Sequence, residues 1–144
     1  MRVALGSDMA GDLPAAIGRW LEAHGHETIR FGALAPGADD AWPSVGRAVA
    51  ECVARGDAQC GVLCCWTGTG VSIAANKVAG IRAALCSDAP TAAGAREWND
   101  ANVLCLSLRS TSIPVAHEML ERWFSVVPTS DPAYRAMIAE VSKL

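Results

Sequence analysis

The sequence predicts a single three-layer α/β/α domain, doubly wound, around a five-stranded parallel sheet. Three observations predict it. Short apolar runs alternate with segments whose apolar residues recur at helical spacing, in the order β-α-β-α-β-α-β-α-β-α. The central run, Gly61-Val-Leu-Cys-Cys65, has no polar alternation, as expected of a strand covered on both faces. A glycine-bearing loop, Trp66-Thr-Gly-Thr-Gly70, joins that strand to the helix start Val71-Ser-Ile-Ala-Ala-Asn-Lys77.

Arg2–Ser7 reads as the first strand, followed by a turn carrying Asp8, Met9 and Gly11. From Asp12, the residues Leu13, Ile17, Trp20 and Leu21 share one helix face, and Gly25 stops that helix. Glu27–Phe31 is a second strand, and residues 33–41 form a loop rich in Gly, Pro and Asp. Pro43 suits a first helical turn, with Val45, Ala48, Val49, Cys52 and Val53 facing inward and Gly56 as the stop. After the central strand and loop, Gly80–Cys86 reads as a fourth strand. Ser87 or Asp88 can cap a helix over residues 89–98. Val103–Ser107 is the fifth strand. Residues 113–124 are helical, with Val115, Met119, Leu120 and Phe124 inward, and residues 131–144 form a last helix available to a partner subunit. In this Rossmann-like arrangement the strand ends at Ser7, Cys65, Ser87 and Leu108 converge on one rim. Its loops are expected to carry Asp8, Cys65, Thr67, Asn99 and Arg109.

Composition narrows the function. The chain has 144 residues, 51% of them hydrophobic and 19% charged, so a large core forms and apolar surface remains for self-association. A net charge of -3 without a basic stripe argues against nucleic acid. No apolar run approaches the roughly 20 residues of a membrane span, and no signal peptide precedes the first strand, so the expected location is cytoplasmic. The six cysteines lack C-x-x-C spacing and histidine partners, which points to reduced thiols rather than zinc, a disulfide framework or a redox pair.

The strand–loop–helix unit at Cys65 is where chemistry is expected. Backbone N–H groups leave such a loop toward a ligand, and the following helix adds partial positive charge. That field also favours the thiolate of a cysteine beside it. A Gly-x-Gly turn after a strand is common, however, and a cysteine in a strand is often simple packing. Alternation places Cys64 and Cys65 on opposite faces, and its terminal position favours Cys65 as the exposed one. Neither standard nucleotide fingerprint is present.

Several stretches carry a resemblance. They are Gly6-Ser-Asp8-x-Ala-Gly11, Cys65-x-Thr-Gly-x-Gly-x-Ser-Ile-Ala-Ala-Asn-Lys77, Gly80-Ile-Arg-Ala-Ala-Leu-Cys86, Ala95-Arg-Glu-x-Asn-Asp-Ala-Asn-Val-Leu104 and Arg109. The chain resembles the sugar-phosphate isomerase family of ribose-5-phosphate isomerase type B and the galactose-6-phosphate isomerase subunits. The resemblance implies an aldose–ketose isomerase without metal or cofactor. It also implies a homodimer, or a dimer of dimers, with its active site shared between subunits. Cys65 would move a proton between C1 and C2, and the loop from Trp66 through Gly68, Thr69 and Gly70 to Val71 would bind the enediolate oxygen. Asp8 would orient hydroxyls. Thr67 and Asn99 would contact the sugar or help open its ring, and Arg109 and Arg135 would reach its far end.

The chain departs from the family at informative places. Met9 and Trp98 stand where histidines are usual, Trp66 replaces a glycine, and Trp42 replaces a tyrosine. Asp131 aligns with one of two phosphate-binding arginines, with Arg135 at the other. Exchanging a cation for an anion reverses the sign of its attraction for phosphate. The three tryptophans offer flat apolar surface to the C–H face of a sugar, or equally to a dimer interface. The expected substrate is therefore a sugar or sugar derivative other than ribose 5-phosphate. The alternative is a sugar-binding or regulatory relative without catalysis. His24, His26 and His117 fall outside the matched motifs, with His117 expected to face solvent.

Overall fold

Parallel pairing joins five strands in the order β2-β1-β3-β5-β4, in a computed structural model that describes residues 1–144. They are β1 (Arg2–Ser7), β2 (Glu27–Gly32), β3 (Cys60–Cys65), β4 (Ala83–Leu85) and β5 (Val103–Ser107). The helices are α1 (Asp12–Ala23), α2 (Trp42–Ala54), α3 (Thr69–Ala75), α4 (Ala89–Asn99), α5 (Ile113–Ser125) and α6 (Pro132–Val141).

Alternation along β3 splits the core. Cys60, Val62 and Cys64 face α1, α4 and α5, where Leu13, Ile17, Leu21, Met119, Leu120 and Trp123 pack. Leu63 and Cys65 face α2 and α3, against Val45, Val49, Val71 and Ala75. Every residue of β3 is buried, as its unbroken apolar character predicts. α6 lies outside the layers, over α4, and buries only Ile138; Thr129 N donates to Glu97 O at 2.8 Å just before it.

The order of strands positions the site. β1 leads to β2 on one side, and the chain then returns to lay β3 on the other side of β1. The reversal between β1 and β3 opens a crevice beyond their carboxyl ends, where ligands bind in open α/β sheets. Asp8 follows β1 and the Trp66–Gly70 loop follows β3, and the two are tied by Asp8 N donating to Cys64 O at 3.3 Å.

Three elements differ from expectation. Only Ala83–Leu85 of residues 80–86 is strand. Arg82 N donates instead to the Asn102 side chain at 2.8 Å, and Ala83 N to Asn76 Oδ1 at 2.8 Å, so side chains keep this edge short. α3 begins at Thr69 rather than Val71. In α5 the buried residues are Ala116, Met119, Leu120 and Trp123, while Val115 and Phe124 are half-buried at its margin.

Candidate active site

Gly68 sets the shape of the loop after β3. Its φ of +75° is left-handed, and a Cβ there would stand 2.5 Å from Leu85 Cδ1 and 2.9 Å from the Leu106 carbonyl carbon. Only glycine fits both the backbone and the space. β5 fastens the loop from beneath. Leu108 N donates to Cys65 O at 3.0 Å, and Arg109 N to Trp66 O at 3.0 Å. The buried Ser107 hydroxyl donates to the same Trp66 carbonyl at 2.9 Å. Sequence reasoning misses Ser107, although a serine closing an apolar strand is a recognisable signal.

The loop presents unused donors. Gly68 N bonds to Cys65 O at 3.1 Å, but the N–H groups of Trp66, Thr67, Gly70 and Val71 meet no acceptor within the chain. The hydroxyls of Thr67 and Thr69 bond to each other at 2.6 Å. The indole of Trp42 covers the first turn of α3, so close that a Cβ on Gly70 would lie 2.9 Å from its ring. Met9 and Trp66 are exposed and line, with the first turns of α1 and α5, a cavity of about 380 Å³ on the rim.

Of the adjacent thiols, Cys64 is fully enclosed, and burial pushes it up to about 12, with Cys65 and Asp8 adding to the rise. It stays protonated at neutral pH. Cys65 lies on the other face, beneath α3, and is itself buried at 4% exposure. The expectation of an exposed Cys65 is thus corrected: the helix that follows the loop folds back over it. Burial likewise raises Cys60 and Cys86 to about 11, and pushes Cys105 up as well. All six cysteines are free.

Asp8 does not cap α1, whose N-cap is Gly11. Its Oδ1 is buried without a hydrogen-bond partner. Desolvation raises its carboxyl above the usual range, opposed by a backbone hydrogen bond and reinforced by the charge of Asp40. Arg109 is exposed and forms no ion pair within the chain.

Four expected residues lie elsewhere. α4 starts beside the carboxyl end of β4 and runs back, so Trp98 and Asn99 reach the opposite edge of the sheet rather than the rim. There they line an apolar cavity of about 380 Å³ with Tyr134, Met137, Ile138 and Val141. Asp131 caps α6, its Oδ1 accepting from Ala133 N at 2.8 Å, and Arg135 is exposed on the first turn of that helix. A single chain therefore holds the expected site residues in two separate places, one around Cys65 and one around Asn99. None of the histidines joins the residues around Cys65. His24 is exposed and stacks on Trp20, and His26 is half-buried against Phe124. His117, expected to face solvent, is half-buried with its Nε2 enclosed.

The family model described as Ribose/Galactose Isomerase matches residues 3–138. The chain belongs to the ribose/galactose isomerase family. It is 38% identical over 122 residues to galactose-6-phosphate isomerase subunit LacB of Clostridium acetobutylicum, covering 84% of this chain and 70% of that protein. It is 38% identical over 123 residues to ribose-5-phosphate isomerase B of Escherichia coli, covering 85% and 82%. D-erythrulose-4-phosphate isomerase of Pectobacterium atrosepticum is 36% identical over 124 residues, covering 85% and 82%. Among solved structures, ribose-5-phosphate isomerase B of Clostridium thermocellum superposes with a TM-score of 0.91 at 35% identity, covering 99% of this chain and 96% of that one. As a ribose/galactose isomerase family member the chain is an isomerase, and no helix in it is long and apolar enough to cross a membrane.

Proposed function

We propose that the chain interconverts an aldose and a ketose, with Cys65 moving the proton between C1 and C2 through an enediolate. The observation that carries this reading is the pairing, at the switch point of the sheet, of one thiol with four unused N–H donors. A proton next to a carbonyl becomes removable when the oxyanion that forms is met by fixed donors. The N–H groups of Trp66, Thr67, Gly70 and Val71 supply them. Cys64 cannot share the role, because burial holds it protonated. Asp8, with one oxygen unpartnered beside β3, accepts a substrate hydroxyl, and the Thr67–Thr69 hydroxyl pair supplies a further polar contact.

The second half-site joins from another copy of the chain. Trp98 and Asn99 cannot reach Cys65 of their own chain across the sheet, and the surface around them is apolar: Tyr134, Met137, Val141 and Leu85 are all exposed. A homodimer covers that surface and brings Asn99, Arg135 and Asp131 of one copy toward Cys65 and Arg109 of the other. No metal or cofactor enters this chemistry, and the substrate is a small sugar or sugar phosphate.

The substrate differs from ribose 5-phosphate. Met9 carries no acidic proton and the indole N–H of Trp98 is far too weak an acid to protonate a ring oxygen, and Asp131 is an N-cap rather than a cation. An open-chain substrate needs no ring opening. The relatives named for D-erythrulose 4-phosphate are consistent with this, since a four-carbon ketose has no C5 hydroxyl to close a furanose on C2, and its 4-phosphorylated aldose partner has no free O4. The test is proton exchange at the carbon beside the carbonyl in deuterated water, followed by NMR, with D-erythrulose 4-phosphate, D-ribose 5-phosphate and D-ribose. The expected result is faster exchange with an open-chain substrate than with ribose 5-phosphate. Equal or faster turnover of ribose 5-phosphate overturns the substrate assignment, and no exchange with any sugar favours a binding protein.

A further inference from the structure

The residue after Asn99 is held in an unusual way. Asp100 has φ +47°, and no other residue apart from glycines has a positive φ. Its carboxylate lies between two arginines, with Oδ2 3.3 Å from Arg82 Nη2 and Oδ1 3.4 Å from Arg96 Nη1. All three side chains are largely enclosed, at 19–27% exposure. The backbone is secured as well. Arg82 Nε donates to Asp100 O at 2.8 Å, Arg96 Nη1 donates to Ala101 O, and Ala101 N donates to Ala95 O at 2.9 Å. Asn102 continues the stitching: its Oδ1 accepts from Arg82 N at 2.8 Å and its Nδ2 donates to Gly80 O at 2.9 Å.

These contacts far exceed what ending a helix requires, since a glycine alone can supply the left-handed residue that follows one. Charged groups drawn from the segment before β4 and from α4 converge on the residue next to two exposed side chains, Trp98 and Asn99, neither of which makes a side-chain hydrogen bond. Strained backbone that the surroundings over-determine marks a place where direction matters.

We infer that Asp100 is a positioning residue: clamped by Arg82 and Arg96, it fixes the direction in which the end of α4 presents Asn99 to the substrate. This rests on the proposal that Asn99 contacts substrate. Asp100 itself touches none. Losing the clamp lets the last turn of α4 reorient, which lowers kcat by misplacing a group needed in the transition state while leaving most ground-state binding, and so KM, in place.

A double-mutant cycle tests this, using Asn99→Ala, Asp100→Asn and the pair. Each is assayed for kcat and KM on whichever of D-erythrulose 4-phosphate, D-ribose 5-phosphate or D-ribose the wild type turns over fastest. The expected result is a fall in kcat of about tenfold or more for each single variant, KM within about threefold, and little further loss in the double variant, because both changes remove one function. Multiplying losses overturn the inference, since they mean that Asp100 does not act through Asn99. A fall with Asn99→Ala and none with Asp100→Asn overturns the inference while leaving the Asn99 reading intact. Wild-type activity in Asn99→Ala overturns that reading and this inference with it, as does a wild type inactive on all three sugars. If Asp100→Asn lacks a cooperative melt, Arg82→Lys replaces it in the cycle: it keeps the cation, removes the bond to the Asp100 carbonyl and carries the same expectations.

Discussion

Replacing Gly68 by alanine probes the loop on which the site is built. Two costs add. The left-handed backbone at φ +75° costs an L-residue about 1–2 kcal/mol. The new methyl also meets Leu85 Cδ1 at 2.5 Å and the Leu106 carbonyl carbon at 2.9 Å; the leucine tip can turn, but the β5 backbone cannot. Overpacking of this kind costs about 1–3 kcal/mol. The sum is about 2–5 kcal/mol. With unfolding entropy near 2.1 cal/mol/K per residue over this chain, its midpoint corresponds to a fall in Tm of about 10 °C. Gly25→Ala is the control, since Gly25 has φ +79° and nothing within 4 Å of where the methyl would stand, so only the backbone cost applies. Thermal melts and urea titrations of both variants give the difference. A Gly68→Ala protein no less stable than Gly25→Ala, within about 0.5 kcal/mol, refutes the claim that close packing against β5 holds the loop.

Other consequences can be checked directly. Trp123→Ala empties the largest fully buried side chain of the α5 layer, and about 3–5 kcal/mol of stability is expected to vanish in urea unfolding without a change in slope. Hydrogen bonds from Thr91 hold the Asp88 carboxyl below its ordinary 3.8. Its ionisation therefore stabilises the fold above pH 3.8, and that contribution disappears as pH falls through the folded-state value. Asp88→Asn should melt below wild type at neutral pH, with the gap closing in acid. Cys64, pushed up to about 12, should resist iodoacetamide while the protein is folded, as read by peptide mass spectrometry; labelling of Cys64 before unfolding contradicts its assignment to the closed core.

Most of the architecture is legible in the sequence because each element carries a local cause. β3 is apolar throughout, and α1, α2 and α5 each carry a periodic apolar face. The fourth strand is shorter than its apolar run, since that run does not reveal that Asn76 and Asn102 side chains take over its first backbone donors. Trp123, rather than its helix neighbour Phe124, fills the core, because one residue step of 100° decides which ring enters. Alternation gives the face of Cys65 correctly but not its depth, which depends on α3 folding back over it. Attention to strand ends puts Asn99 on the wrong edge of the sheet. The 11 residues of α4 carry the chain about 16 Å back from the rim, and only the full length of that helix shows where Asn99 comes to lie.

The proposed mechanism depends on which thiol faces the reacting carbon. The direct measurement is deuterium incorporation beside the carbonyl, by NMR in deuterated water, in wild type, Cys64→Ala and Cys65→Ala, using the best substrate of the three sugars. Loss of a positioned base costs about 100-fold or more. Cys65→Ala is expected to lose at least that much exchange while Cys64→Ala, once shown to be folded, stays within a few-fold of wild type. Exchange in Cys65→Ala at the wild-type rate would contradict the assignment and the mechanism built on it.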